Sequence, residues 1–413
     1  MRPVRVLTAA SGVTWDGDLA SLCAGAGSGV EVVGRCSDPG DLRARLVLDR
    51  PGAVALDAGP DWLDAAILDV CRSVGAAVVV VGDRNDPRPG RLGCDVVVDP
   101  AGLDALVDAL RACARTSARG GSPVPDAARR GAVVAVWGPK GGTGRTTVAV
   151  NVAWELACAG FGCVVVDADT TGGNVALALG LAETPSIAGL SQAAGRGLAG
   201  DDCLDPFPRP IPGLVVVPGL SRPAEWPQVR DADVRAMLGV LSGLATVVVV
   251  DVGACLEDDD ELMTQAWPWR RNQAARAVLA AADAVVAVVA GDPASVRHAV
   301  DVRDDLAVLV DASRVVVVVN KVVGHMRAGS AVASRLERRC GWRGGVFLAP
   351  LDPAAPLTAW AGRALAEAAP RSPLRRSVRD VARGLAAGLG LQADGRFPLD
   401  ADLAYAAGDP TAK

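Results

Sequence analysis

Lysine, histidine and aromatic residues are nearly missing from this chain. Of 42 lysines and arginines only Lys140, Lys321 and Lys413 are lysines, and His298 and His325 are the only histidines. Cationic positions therefore default to arginine, and a lysine marks a place where arginine would not serve equally. Aromatics make up 3% of the 413 residues, so any core must be built from alanine, valine and leucine. The ten cysteines form no CxxC pair, and with so few histidines a zinc site is not expected. Their expected role is that of small hydrophobes in a reducing compartment. No apolar run approaches the roughly 20 residues that a membrane-spanning helix needs. The opening stretch MRPVRVLTAA enters strand-like sequence without a signal-peptide pattern, so a cytoplasmic protein is expected. A net charge of −5 argues against a chain generally coated with nucleic acid.

What is present is hydrophobic and periodic. Half of the residues are hydrophobic, and valine runs such as VVVV read as strands buried on both faces. Residues 1–116 alternate five strand signals with helix signals, which implies a parallel sheet with right-handed crossovers. The third strand ends at Asp57. This order resembles the receiver domain of two-component signalling, a flavodoxin-like α/β fold. The resemblance fails at the chemistry. Thr8-Ala9-Ala10-Ser11 stands where the acidic pair for Mg²⁺ belongs, Gly82 stands for the Ser/Thr, and Asp99 before Pro100 for the lysine. Asp57 is therefore not expected to be phosphorylated, and the domain is expected to serve packing or partner binding. Residues 117–130, SARGGSPVPDAARR, lack periodicity and read as a linker. A second series of strands and helices fills residues 131–390, and residues 391–413 read as a polar tail.

The second series holds GPKGGTGRTT, residues 138–147, between a strand and a helix. That context makes a phosphate-binding loop credible. Gly141, Gly142 and Gly144 let backbone amides approach an anion, with Thr143 among them, and the helix starting at Arg145 adds its positive end. Thr146 is placed to put a hydroxyl on Mg²⁺. Asp167 and Asp169 end the next strand, Asp251 ends a later one and Asn320 another. All four lie at the carboxyl ends of expected parallel strands, where α/β sheets bind ligands. Together these features predict a nucleotide-binding domain whose P-loop holds phosphate with Mg²⁺.

KGGTGRTT resembles the deviant Walker A motif of the MinD/ParA family. VVVDADTTGGNVALALGL resembles that family's switch I strand, and VVVVDVG its Walker B strand. Residues 348–378 are similar to its C-terminal segment. A degenerate receiver ahead of such an ATPase is similar to the CpaE/TadZ proteins of Flp (Tad) pilus assembly and to septum-site-determining relatives. The resemblance implies that Lys140 reaches across an ATP-bound homodimer to the partner's phosphates, and that Arg145 takes the P-loop lysine's place. It further implies Thr146 and Asp251 at Mg²⁺, Thr147 at the α-phosphate, Asp169 orienting water and Asn320 at adenine. Pro139 and Arg145 depart from the motif. Arginine keeps the charge but its planar fork does not superpose on an ammonium, so ATP binding with slow or absent turnover is expected.

The acidic run 257–261 falls where the resemblance places switch II and is expected as a solvated loop. Residues 371–389 carry five arginines and apolar residues at helical spacing. They are expected either to close the domain or to touch the membrane's inner face as a basic amphipathic helix. Arg335, Arg338, Arg339 and Arg343 are the places for electrostatic DNA contact, although no DNA partner is expected. The leading expectation is an ATP-switched localisation or assembly factor of a pilus or division machine. The alternatives are a nucleotide-independent pseudo-ATPase scaffold and a ParA-like DNA-partitioning ATPase.

Overall fold

The computed structural model describes residues 3–25, 28–94, 96–117, 131–258, 270–324 and 326–392. All but one residue of the expected linker, all but the first two of the tail and most of the acidic run 257–261 lie outside these. The chain divides into two compact units, one of residues 1–129 with 191–200 and one of 130–190 with 201–413.

The first unit is a five-stranded parallel sheet. Its strands are β1 (Val4–Ala9), β2 (Val30–Cys36), β3 (Ala53–Asp57), β4 (Ala77–Val81) and β5 (Val97–Val98), in the order β2-β1-β3-β4-β5. This is the flavodoxin-like order. The core is aliphatic, with Val6, Ala55, Val79 and Leu110 buried together. Asp57 ends β3, and both of its carboxylate oxygens have partners. Oδ1 accepts from the Trp15 indole at 3.3 Å and Oδ2 from the Gly59 amide at 2.9 Å.

The second unit carries seven parallel strands: β6 (Ala132–Trp137), β7 (Cys163–Ala168), β8 (Leu214–Val217), β9 (Val247–Val252), β10 (Ala284–Ala290), β11 (Val315–Val322) and β12 (Val346–Pro350). Their order is β12-β11-β10-β6-β9-β7-β8. Strands β6, β7, β9 and β10 are almost wholly buried, as their unbroken valine and alanine content requires. Chain order reverses at β6, because β9 and β7 lie on one side of it and β10 and β11 on the other. Ligands of open α/β sheets bind beyond the carboxyl ends of strands at such a switch point. The loop GPKGGTGRTT leaves β6 there.

The helix Pro373–Gly388 settles one of the two expectations for the arginine-rich segment. Leu374, Val378, Val381, Ala382 and Leu385 are buried in the core cluster shared with the helix Arg145–Cys158. Its apolar stripe is thus used inside the unit, and Arg375 pairs with the buried Glu155 at 2.6 Å. No helix among the described residues is long and apolar enough to cross a membrane. Of the cysteines, Cys36, Cys71, Cys94 and Cys163 are buried, whereas Cys158 and Cys255 are exposed.

Candidate functional site

The arc 138–144 is shaped first by close packing. A Cβ on Gly138 would lie 2.2 Å from the Val288 carbonyl oxygen of β10, so the loop leaves the sheet in a space only glycine fits. Gly141, Gly142 and Gly144 have φ of 110°, 61° and 95°, a region that side chains disfavour. A Cβ on Gly144 would also sit 2.5 Å from the Asn320 Nδ2.

Side chains then hold the carbonyls of the arc one by one. Arg145 Nη1 donates to Gly138 O at 3.1 Å and to Pro139 O at 3.4 Å. His298 Nδ1 lies 3.2 Å from Lys140 O, and since a carbonyl only accepts, Nδ1 carries the proton. Lys321 Nζ donates to Gly142 O at 2.6 Å, and Asn320 Nδ2 to Thr143 O at 2.8 Å. A trans peptide points its N–H away from its carbonyl, so the amides of Lys140, Gly141, Thr143 and Gly144 face away from these donors. Such fixed amides at a helix start are an anion cradle. Lys140 is exposed, while Thr143 is buried with its hydroxyl unpartnered among the described residues.

Asn320 and Lys321 thus bind the loop itself. Asn320 Oδ1 accepts from the Lys321 amide at 2.9 Å, so both ends of its amide have partners. Lys321 has a φ of 55°, an uncommon posture for a side-chain-bearing residue. His298 was not expected at the site. Its signal in the sequence is only rarity, being one of two histidines, on the helix Pro293–Asp301 that follows β10.

Beyond the arc, Thr146 Oγ1 donates to Asp251 Oδ2 at 2.5 Å. Asp251 Oδ1 is buried and has no partner among the described residues. A buried carboxylate oxygen without a donor is costly unless a cation or proton meets it. Thr146, Asp251 and the arc therefore fit a magnesium-bound phosphate: hydroxyl and carboxylate on the ion, amides on the phosphoryl oxygens. No cluster of three His, Cys, Asp or Glu residues able to hold a metal alone is found among the described residues. Thr147 follows on the first turn of the helix, half-buried.

Two further carboxylates complete the site. Asp167 faces Asp251 across the β7–β9 pairing. Its oxygens accept from the Asp169 amide at 3.2 Å and the Val175 amide at 2.9 Å. Burial pushes Asp167 up to about 7 despite these bonds. Burial, reinforced by the facing Asp167, pushes Asp251 well above the ordinary carboxylate range. Each carboxylate of the facing pair thus holds its proton more strongly than an isolated one would. Asp169 Oδ1 accepts from the Thr171 amide at 3.0 Å, the Thr171 hydroxyl at 2.6 Å and the Gly172 amide at 3.1 Å. Its Oδ2 meets Arg145 Nη2 at 3.2 Å. Trp137 Nε1 donates to Ala254 O at 3.3 Å, tying the segment after β9 to the end of β6.

With this geometry in view, comparison with known proteins is informative. Residues 130–194 match the family model described as ParA, NUBPL iron-transfer P-loop NTPase. The ParA family ATPase of Chlorobium tepidum TLS superposes with a TM-score of 0.52 at 20% identity, covering 62% of this chain and 99% of that one. The septum site-determining protein MinD of Pyrococcus horikoshii OT3, complexed with Mg-ADP, gives 0.49 at 18% identity over 63% of this chain and 99% of its own. The cell division ATPase MinD of Pyrococcus furiosus gives 0.48 at 17% identity over 62% and 99%. No curated protein matches the chain. The second unit has the ParA-type P-loop NTPase fold.

Proposed function

We propose that this chain binds ATP with Mg²⁺ in the arc 138–147 and uses it as a conformational switch in a localisation or assembly factor. The observation that carries this is the arc itself. Its carbonyls at 138, 139, 140, 142 and 143 are held by side chains of Arg145, His298, Lys321 and Asn320, beside a buried, unpartnered Asp251 oxygen. A loop with no anion to bind has no need of amides so fixed.

In this function Gly141, Gly142, Thr143 and Gly144 cradle the phosphates with Lys140 and Arg145, and Thr147 contacts the α-phosphate. Thr146 and Asp251 would hold Mg²⁺, which would screen the phosphate charge. Asp169 orients water once its Oδ2 is released from Arg145. Asn320 contacts adenine only if one of its two present hydrogen bonds is given up. Lys140, exposed on the arc, is free to reach a second copy, as the signature lysine of a MinD/ParA-type homodimer does. Turnover is slow or absent, because Arg145 now faces Asp169. The first unit acts as a degenerate receiver whose Asp57 is occupied by Trp15 and Gly59, and it serves partner binding. This combination fits the CpaE/TadZ type, with protein partners in pilus assembly or septum positioning and action in the cytoplasm.

The second reading, a nucleotide-independent scaffold, is favoured by the same Arg145–Asp169 pair, which turns the site's cation away from an anion. Sedimentation with and without Mg-ATP separates the two. A shift from monomer to dimer that needs Mg-ATP and Lys140 supports the switch, and an unchanged profile supports the scaffold.

A further inference from the structure

We propose that Arg145 is a nucleotide-operated lock on the segment 169–174. In the arrangement shown, one guanidinium ties the arc to Asp169, and a triphosphate in the arc competes with that carboxylate for the same guanidinium. The proposal rests on the nucleotide assignment above and adds how that site controls its surroundings.

The guanidinium is shared between two acceptors of different kind. Nη1 serves the Gly138 and Pro139 carbonyls, and Nη2 serves Asp169 Oδ2. Nε is buried and has no partner among the described residues. The posture is thus incomplete, since the buried Nε–H of the fork lacks an acceptor that a phosphoryl oxygen could supply. The side chains of the pair are 18% and 8% exposed, so bulk salt and water screen it little. A lysine, with a compact ammonium on a single stem, could not hold two carbonyls and a carboxylate through a planar fork in this way.

What the lock restrains is defined by the bonds around it. Asp167 grips the segment at both ends, through the Asp169 and Val175 amides. Between those grips Asp169 organises the turn by accepting from Thr171 and Gly172. Its Oδ2 is therefore the tie between that turn and the arc. When the guanidinium turns to phosphate, the carboxylate loses its cation and faces like charge, and the turn is released. Linkage makes the effect reciprocal: nucleotide weakens the pair by the factor by which the pair weakens nucleotide binding.

The test is calorimetric titration of Mg-AMPPNP into the full chain and into Asp169→Asn, which keeps Oδ1 for the turn and removes the carboxylate charge. The lock predicts about tenfold tighter binding in Asp169→Asn. It also predicts that the gain falls below about twofold when Arg145→Lys is already present. Equal or weaker binding in Asp169→Asn overturns the lock. So does an undiminished gain with Arg145→Lys, which would be simple charge repulsion. In the unmutated chain, amide hydrogen exchange at 169–174 must speed up with Mg-AMPPNP, and unchanged or slower exchange overturns the lock whether or not the variants fold. If the unmutated chain takes no Mg-AMPPNP, the nucleotide assignment itself fails; if it binds but the other results are absent, only the lock fails.

Discussion

At the scale of single residues, the site is a set of groups whose costs are met only in company. Asn320 is buried, and its Nδ2 holds Thr143 O. Asn320→Ala removes that bond and leaves a buried carbonyl unpaired, a loss of about 1–3 kcal/mol. Mg-ATP affinity measured by calorimetry should fall about 5- to 100-fold, whereas an Asn320 that touched only adenine would lose affinity for ATP but not for inorganic triphosphate. The acid pair gives a pH signature. The folded-state value of Asp167 is raised from 3.8 to about 7, so the native state holds a proton that the unfolded chain releases earlier. Its contribution to stability is full below the unfolded value and is lost as pH rises through about 7. Urea denaturation without Mg-nucleotide should show stability falling between about pH 4 and 7, and Asp167→Asn should flatten that slope. A rise in stability over the same interval would contradict the assignment.

At the scale of elements, most of the second unit was legible because its strands are runs of valine bounded by turn residues, and every one of β6, β7, β9, β10 and β11 lies where those runs stand. The strand β12 was not legible. It is a five-residue, partly exposed edge strand ending in Pro350, with no run to mark it. The helical stretch after β10 is in two pieces, Pro293–Asp301 and Arg303–Leu309, because the chain turns out of helical geometry at Val302. Likewise the arc was legible from glycine spacing, but not its fastening. Nothing in sequence spacing brings His298 to Lys140 O, 158 residues away. The arginine-rich closing helix had two readings by composition, because a stripe of leucine and valine fits a core and a lipid surface equally. Only packing decides, and Leu385 is buried. Leu385→Ala should therefore cost about 2–5 kcal/mol in denaturation of the full chain. A change under about 0.5 kcal/mol would mean that this face does not pack.

At the scale of the whole molecule, a parallel sheet delivers the arc, Asp167, Asp251 and Asn320 to one rim because their strands run the same way. Under the proposed function, arginine in place of the P-loop lysine makes binding and chemistry separable: fixed amides would supply the first, while a correctly aimed cation is needed for the second. Arg145→Lys should raise phosphate release in a steady-state ATPase assay at least about tenfold over the unmutated chain. No increase would place the block elsewhere. All of this depends on the arc holding a triphosphate. The most direct measurement is calorimetric titration of Mg-ATP into the full chain and into Gly144→Val, whose side chain would meet Asn320 at a left-handed backbone position. Saturable one-site binding in the first, weakened at least about 100-fold in the second, is the predicted result, and no saturable heat from the unmutated chain would contradict the account.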